Sequence, residues 1–287
     1  MTMIDLDRVQ LFCTALGSDR TAPLLLVHGW GGDGREWSAH AEALADRFRV
    51  IVPDLRGHGR SEVPEEGNTM GEMADDLAAL LRHLGTGPTT AVGHSMGGQI
   101  VNLLAVRHPE LVRSVVALDP AHGAHGTEAE GVPARLEEYR EHGARAAADF
   151  VAGAFSAGAP AGLRTAHLRT MLGTPNHVIA QAYASMYADP GAVGVRPHSE
   201  AYLRHRAQPA LTVWTSAEAA AWERDTLRVP GSRVDHWPDS GHYLHEEHPE
   251  RTVRLVEDWE LGGRENGGPG WLPPTGRSSR ALQVPRR

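Results

Sequence analysis

Continuous apolar runs, rather than alternating ones, recur along the first half of the chain. Pro23-Leu24-Leu25-Leu26-Val27, Arg49-Val50-Ile51-Val52-Pro53 and the segment from Val112 to Leu118 have the pattern of strands buried on both faces of a parallel sheet, and Thr89-Thr90-Ala91-Val92 is strand-like. Helical spacing separates these runs. Residues 35 to 47 read as a helix, and Met70, Met73, Ala74, Leu77, Leu80, Leu81 and Leu84 mark one face of another. That second helix opens at Thr69-Met70-Gly71-Glu72, which has the spacing of a capping box. Ile100, Leu103, Leu104 and Val106 carry helical spacing into a third. Strand, helix and strand in alternation imply right-handed crossovers and a mostly parallel sheet flanked by helices, the α/β class. Ahead of them, Leu6, Val9, Leu11 and Phe12 predict one or two short strands within residues 4 to 16.

After Asp119-Pro120 the rhythm breaks. Residues 121 to 207 are rich in Ala, Arg, Gly and His, with helical stretches near 133 to 150 and 176 to 187 and no strand-like run, so an all-helical insertion is expected. Tyr139, Phe150, Phe155, Met171, Tyr183, Met186 and Tyr187 either line a pocket or form the insertion's own small core; their helical spacing favours the core. The alternation resumes with a strand over Ala210 to Trp214, a helix near 218 to 228, a strand over Arg233 to Trp237 and a helix near 248 to 261. The expected division is a core from 1–120 and 208–261, an insertion over 121–207, and a disordered Gly-, Pro- and Arg-rich tail over 262–287.

Composition narrows the function more than the fold. With 41% apolar residues, the 287-residue chain can bury a substantial core, and a formal charge of −8 excludes nucleic acid as a main partner. The single Cys13 rules out an intrachain disulfide. No window approaches a membrane span and the N-terminus lacks a leader pattern, so a cytoplasmic protein is expected. Among the 17 histidines, His242, His245 and His248 are the densest group, but they lack H-E-x-x-H spacing and are read as solvated surface residues with no metal.

The candidate chemistry centres on Gly93-His94-Ser95-Met96-Gly97, a G-x-S-x-G turn between a strand and a helix. Glycines at 93 and 97 suit a reversal so sharp that a Cβ would collide, and the turn lifts the serine hydroxyl clear of the sheet. Upstream, His28-Gly29-Trp30-Gly31-Gly32 ends a strand in a loop built for close backbone approach, yet it is neither G-x-G-x-x-G nor a P-loop. Asp54-Leu55-Arg56-Gly57-His58-Gly59-Arg60-Ser61 follows the next strand, and Ser240-Gly241-His242 follows the last.

In this order these four segments resemble the α/β-hydrolase fold family over about residues 4 to 261, with the 121–207 insertion in the place of its helical lid. The resemblance makes the His28 loop an oxyanion-hole segment, His28 a structural histidine, and Ser95 the nucleophile. A serine needs a base within reach and a third group that fixes the base's tautomer. His242 is the expected base, since His94 points elsewhere on the turned backbone. The backbone N–H groups of Trp30 and Met96 are the expected oxyanion donors. The acid departs from the family pattern. An aspartate commonly follows the penultimate strand, but Trp214 here runs into Thr215-Ser216-Ala217-Glu218. Glu218 is one candidate; Asp119, after the strand that follows the elbow helix, is the preferred one, as in some members of the family. The resemblance therefore implies a serine hydrolase acting on a small ester or related acyl substrate through an acyl-enzyme, without metal or organic cofactor. A carbon–carbon bond hydrolase and a cofactor-free perhydrolase or haloperoxidase are the alternatives on the same fold, and a non-catalytic ligand receptor or scaffold is the alternative of another class. A serine at the elbow disfavours the epoxide hydrolases of this fold, which use an aspartate there.

Overall fold

The apolar runs become the central strands of one eight-stranded sheet in the computed structural model, which describes residues 1–265. A hairpin opens the chain, β1 (Thr2–Leu6) antiparallel to β2 (Val9–Leu16). Then come β3 (Ala22–Val27), a 3₁₀ turn over Gly34–Trp37, α1 (Ser38–Leu44), β4 (Phe48–Pro53) and α2 (Met70–Leu84). The helix expected over 35–47 is thus divided: Asp33 caps the 3₁₀ turn through Arg35 N–H, and α1 starts anew at Ser38. Next are β5 (Thr89–His94), α3 (Met96–Arg107) and β6 (Val112–Leu118).

Five helices follow: α4 (Gly126–Glu130), α5 (Val132–Ala152), α6 (Leu163–Gly173), α7 (Asn176–Tyr187) and α8 (His198–Leu203). α5 and α7 lie where helical spacing placed them. α5 kinks at Gly143, whose φ of 55° suits glycine and where a Cβ would strike the side chain of Asn176; that side chain in turn accepts the N–H of Ala144 at 3.0 Å. The chain closes with β7 (Ala210–Trp214), α9 (Ala217–Thr226), β8 (Arg233–His236), α10 (Leu244–Glu247) and α11 (Pro249–Glu265). Residues 262–265, assigned from the sequence to a disordered tail, continue α11; the rest of that expectation falls on 266–287, outside the described residues.

The strand order is β1-β2-β4-β3-β5-β6-β7-β8, antiparallel through the β2–β4 pair and parallel from β4 onward. Alternate residues of each central strand feed two cores. Leu25 and Val27 of β3 join α2, α3, α5 and α7 on one face, while Leu24 and Leu26 join Trp37, α1 and Val256 of α11 on the other. β3 is buried along its whole length, which explains why its sequence does not alternate. The carboxyl ends of β3, β5, β6, β7 and β8 consequently open on one edge, where a parallel α/β sheet binds ligands. No helix among the described residues is long and apolar enough to cross a membrane.

The aromatic residues of the insertion are placed differently from the expectation. Tyr139, Met171, Tyr183 and Met186 do not make a separate core; they belong to the cluster that holds Trp30 and the sheet face. The cause is the loop after β3, whose Trp30 ring meets Tyr139 at 4.9 Å and Tyr183 at 5.8 Å and whose indole N–H donates to the carbonyl of Ile179 at 3.2 Å. Phe155, stacked on Tyr243, and Tyr187 pack against the same cluster, while Phe150 is exposed.

Candidate active site

Ser95 sits at the apex between β5 and α3 with φ 52° and ψ −118°, a conformation that a non-glycine residue adopts only when its surroundings impose it. Those surroundings are visible. A Cβ on Gly93 would collide with the backbone of Gly97, and one on Gly97 with the carbonyls of Val27 and His28. The N–H of Ser95 donates to Leu118 O at 3.0 Å, and its carbonyl accepts from Gln99 N at 3.2 Å and Ala121 N at 2.9 Å. The elbow is therefore tied to β6, the strand that carries Asp119.

Asp119 is a second residue at positive φ, 42°, just beyond β6. Its carboxylate is held by three groups. Oδ2 lies 2.7 Å from Nδ1 of His242, and Oδ1 accepts both the N–H and the hydroxyl of Thr215 at 3.0 Å. Burial alone would raise the Asp119 pKa, but the His242 ring and the two Thr215 donors outweigh it and hold the carboxyl below its usual 3.8. Because a carboxylate only accepts, Nδ1 of His242 is the protonated nitrogen, which leaves Nε2 with a lone pair. His242 is half-buried, and its main-chain N–H donates to Ala154 O at 2.7 Å. The preceding turn is fixed by Glu247, whose carboxylate accepts from Gly241 N at 2.9 Å and Ser156 N at 3.0 Å.

The other acid candidate lies elsewhere. Glu218 is exposed in the first turn of α9 and pairs with His125 at 2.5 Å. Its neighbour Thr215, which stands where the family commonly has an aspartate, instead orients the aspartate supplied by β6. No local sequence pattern marks this threonine, because its partner Asp119 lies 96 residues away.

Met96 belongs to the elbow, and the loop that carries Trp30 runs beside it, where a Cβ on Gly29 would lie 3.4 Å from Ser95 Cβ. Met96 opens α3, so its N–H has no acceptor within that helix, and among the described residues the main-chain N–H of Trp30 meets none. The loop that carries Trp30 is anchored underneath by Glu36, whose buried carboxylate accepts the N–H of Gly29 at 3.1 Å. His28 bonds through Nε2 to the N–H of Leu55 at 3.0 Å, fastening this loop to the Asp54–Ser61 turn.

The histidines correct one expectation. His245 is not a solvated surface residue but fully buried, since the chain turns it inward from α10 against Trp37 at 4.6 Å and His94 at 4.4 Å. Among the described residues, Glu36, His94 and His245 form a group whose ligand-type atoms lie within 4.8 Å of one another, and the group does not include His242 or His248. Burial, reinforced by the neighbouring His94, pushes the His245 pKa well down, so this ring is neutral.

Eight strands with a single antiparallel edge, a serine elbow and an aspartate–histidine pair at the carboxyl end of the sheet define a class of protein as well as a site. The family model of the alpha/beta hydrolase fold matches residues 22–249, and the chain belongs to that family. Among solved structures, a thermophilic esterase from Thermogutta terrifontis, with malate bound, superposes with a TM-score of 0.77 at 28% identity, covering 91% of this chain and 99% of that one. Among curated relatives, a 2-(acetamidomethylene)succinate hydrolase of Mesorhizobium japonicum is 40% identical over 117 residues, 40% of this chain and 41% of that protein. A soluble epoxide hydrolase of Corynebacterium sp. is 41% identical over 101 residues, 35% of each. The chain thus matches well under half the length of these two curated relatives.

Proposed function

We propose that this protein is a serine hydrolase that cleaves an ester or related acyl substrate through a covalent acyl-enzyme, with Ser95 as nucleophile, His242 as base and Asp119 as acid. The observation that carries this reading is the 2.7 Å bond from Nδ1 of His242 to Asp119 at the end of the sheet where the strained Ser95 elbow stands. With Nδ1–H committed to Asp119, Nε2 is free to take the Ser95 proton as Oγ attacks the acyl carbon. The imidazolium so formed is stabilised by the Asp119 carboxylate and gives the proton to the leaving group. Water then repeats the sequence on the acyl-enzyme, returning Ser95 as a free hydroxyl. In each step the N–H groups of Trp30 and Met96 hold the oxyanion, and one such donor contributes roughly 10²-fold or more in rate.

The helices from 126 to 203 act in this reading as a lid, with Trp30, Tyr139 and Tyr183 as an aromatic wall between lid and elbow. Apolar acyl groups suit such a wall. A panel of p-nitrophenyl esters of increasing chain length, run beside a diketone and an N-acyl amide of the kind for which the Mesorhizobium relative is named, tests the reaction class. Ester turnover well above that of the other two supports the proposal; turnover of the diketone alone would replace it with carbon–carbon bond hydrolysis.

A further inference from the structure

Beneath the proposed triad lies a second acid–histidine contact that the mechanism does not use. His94 precedes Ser95 in β5 and is fully buried, with both ring nitrogens facing oxygen atoms. Nδ1 lies 2.8 Å from Oε1 of Glu36, and Nε2 lies 2.9 Å from the carbonyl oxygen of His242. A peptide carbonyl can only accept, so Nε2 carries a proton. A contact of 2.8 Å between Nδ1 and Oε1 also needs a proton between them, because two lone pairs at that separation repel. The Glu36 carboxylate accepts the Gly29 N–H as well, which favours its ionised form and leaves that proton on nitrogen.

We propose that Glu36 and His94 form a buried carboxylate–imidazolium pair that positions the catalytic histidine by holding the main-chain carbonyl of His242. His94 in this role touches neither substrate nor reacting atoms. Its effect is geometric: one side chain fastens the strand that leads into Ser95 to the loop that carries His242, so nucleophile and base share one reference frame. Glu36 and Asp119 favour a charge on the ring and His242 opposes it, while Nε2 of His245 lies 3.2 Å from the same Glu36 Oε1. The neutral His245 ring lies tilted beside it at 4.4 Å, Tyr243 and His242 lie at 5.0 and 4.7 Å, and Asp119 adds a further negative charge nearby. Burial is the larger influence and, with His242, lowers the His94 pKa below its usual 6.5 against the pull of Glu36 and Asp119. The assignment rests on the hydrogen-bond geometry, since with Glu36 ionised a neutral ring would leave one of its two contacts without a proton. The same atoms could be taken for metal ligands, but the Glu36–His94 separation is that of a hydrogen bond and both His94 nitrogens already have acceptors.

The protonation half of the proposal is independent of the serine-hydrolase reading; the positioning half rests on it. Uniformly ¹⁵N-histidine-labelled full-length protein tests the first. Two protonated ring nitrogens are expected for His94 at pH 8, assigned by their loss in His94→Gln. A single protonated nitrogen, or a stoichiometric bound metal in the purified protein, overturns the pair even if every ester is turned over. Glu36→Gln tests the second: in folded protein, kcat for the best ester should fall about 10- to 100-fold with KM changed less than about threefold, the signature of a misplaced catalytic group. Unchanged kcat in a folded Glu36→Gln variant overturns positioning while leaving Ser95 chemistry standing.

Discussion

At the scale of single residues, the proposed triad depends on one aspartate held in an unfavourable backbone conformation. Asp119 at φ 42° aims one oxygen at His242 and the other at Thr215, so the carboxylate is oriented before substrate arrives. Asp119→Asn is expected to cut kcat by roughly 10³ to 10⁴, because an amide can donate to Nδ1 and stabilise the wrong tautomer. Glu218→Gln should change kcat less than about threefold, as an exposed helix-start substitution does. The reverse ranking, measured with one ester substrate, would move the acid to α9. A separate prediction concerns pH and stability. His58 is buried, donates Nδ1–H to Arg56 O at 2.9 Å and has no partner at Nε2 among the described residues; burial, with His28 adding to it, lowers its pKa from 6.5 to about 3. The unfolded chain therefore binds a proton that the folded chain refuses between pH 6.5 and about 3. Stability contributed by this residue is complete above pH 6.5 and falls as the pH drops, with a slope approaching about 1.4 kcal/mol per pH unit. Urea titrations across this range should show a shallower slope for His58→Asn, which keeps the donor and removes the titration; an unchanged slope would contradict the assignment. Much of this scale was legible: Ser95 and His242 lie in local motifs, and Asp119 stands at a strand end. Glu36, His94 and Thr215 were not, because their partners are 58, 148 and 96 residues away in the chain and no local pattern records such contacts.

At the scale of elements, legibility followed the strength of the apolar pattern. α2 buries Met70, Met73, Ala74, Leu77, Leu80 and Leu81 of the face whose spacing predicts it, while Leu84 at its end is only partly buried. Its capping box is only half formed. Thr69 Oγ1 accepts Glu72 N–H at 3.3 Å, while the Glu72 carboxylate turns away to Arg8 at 2.5 Å, a long-range partner that the four-residue motif could not reveal. α6 buries only His167 and Met171, and α4 buries nothing, so neither left a periodic trace in the sequence. Leu77 tests the element whose pattern was clearest. It is fully buried between α2 and the sheet, and Leu77→Ala should destabilise by about 2–5 kcal/mol in urea unfolding, the range for a large core truncation. A loss below about 1 kcal/mol would mean that this face of α2 is not packed as described.

At the scale of the whole molecule, the sheet order explains why four dispersed segments meet. Parallel crossovers bring the ends of β3, β5, β6 and β8 to one edge, so the Trp30 loop, the Ser95 elbow, Asp119 and His242 converge although they span more than 200 residues. Alternation of apolar runs made that topology readable; the inward packing of α5 and α7 on Trp30 was not, since spacing fixes which face of a helix is apolar but not what covers it. If this convergence makes Ser95 a nucleophile, an active-site label will find it. Full-length protein treated with a fluorophosphonate should gain one adduct by intact mass, mapped to the peptide carrying Ser95, and Ser95→Ala should lose both the adduct and ester turnover while remaining folded. Folded wild-type protein that takes up no adduct, or a Ser95→Ala variant that still turns over the ester, would contradict it.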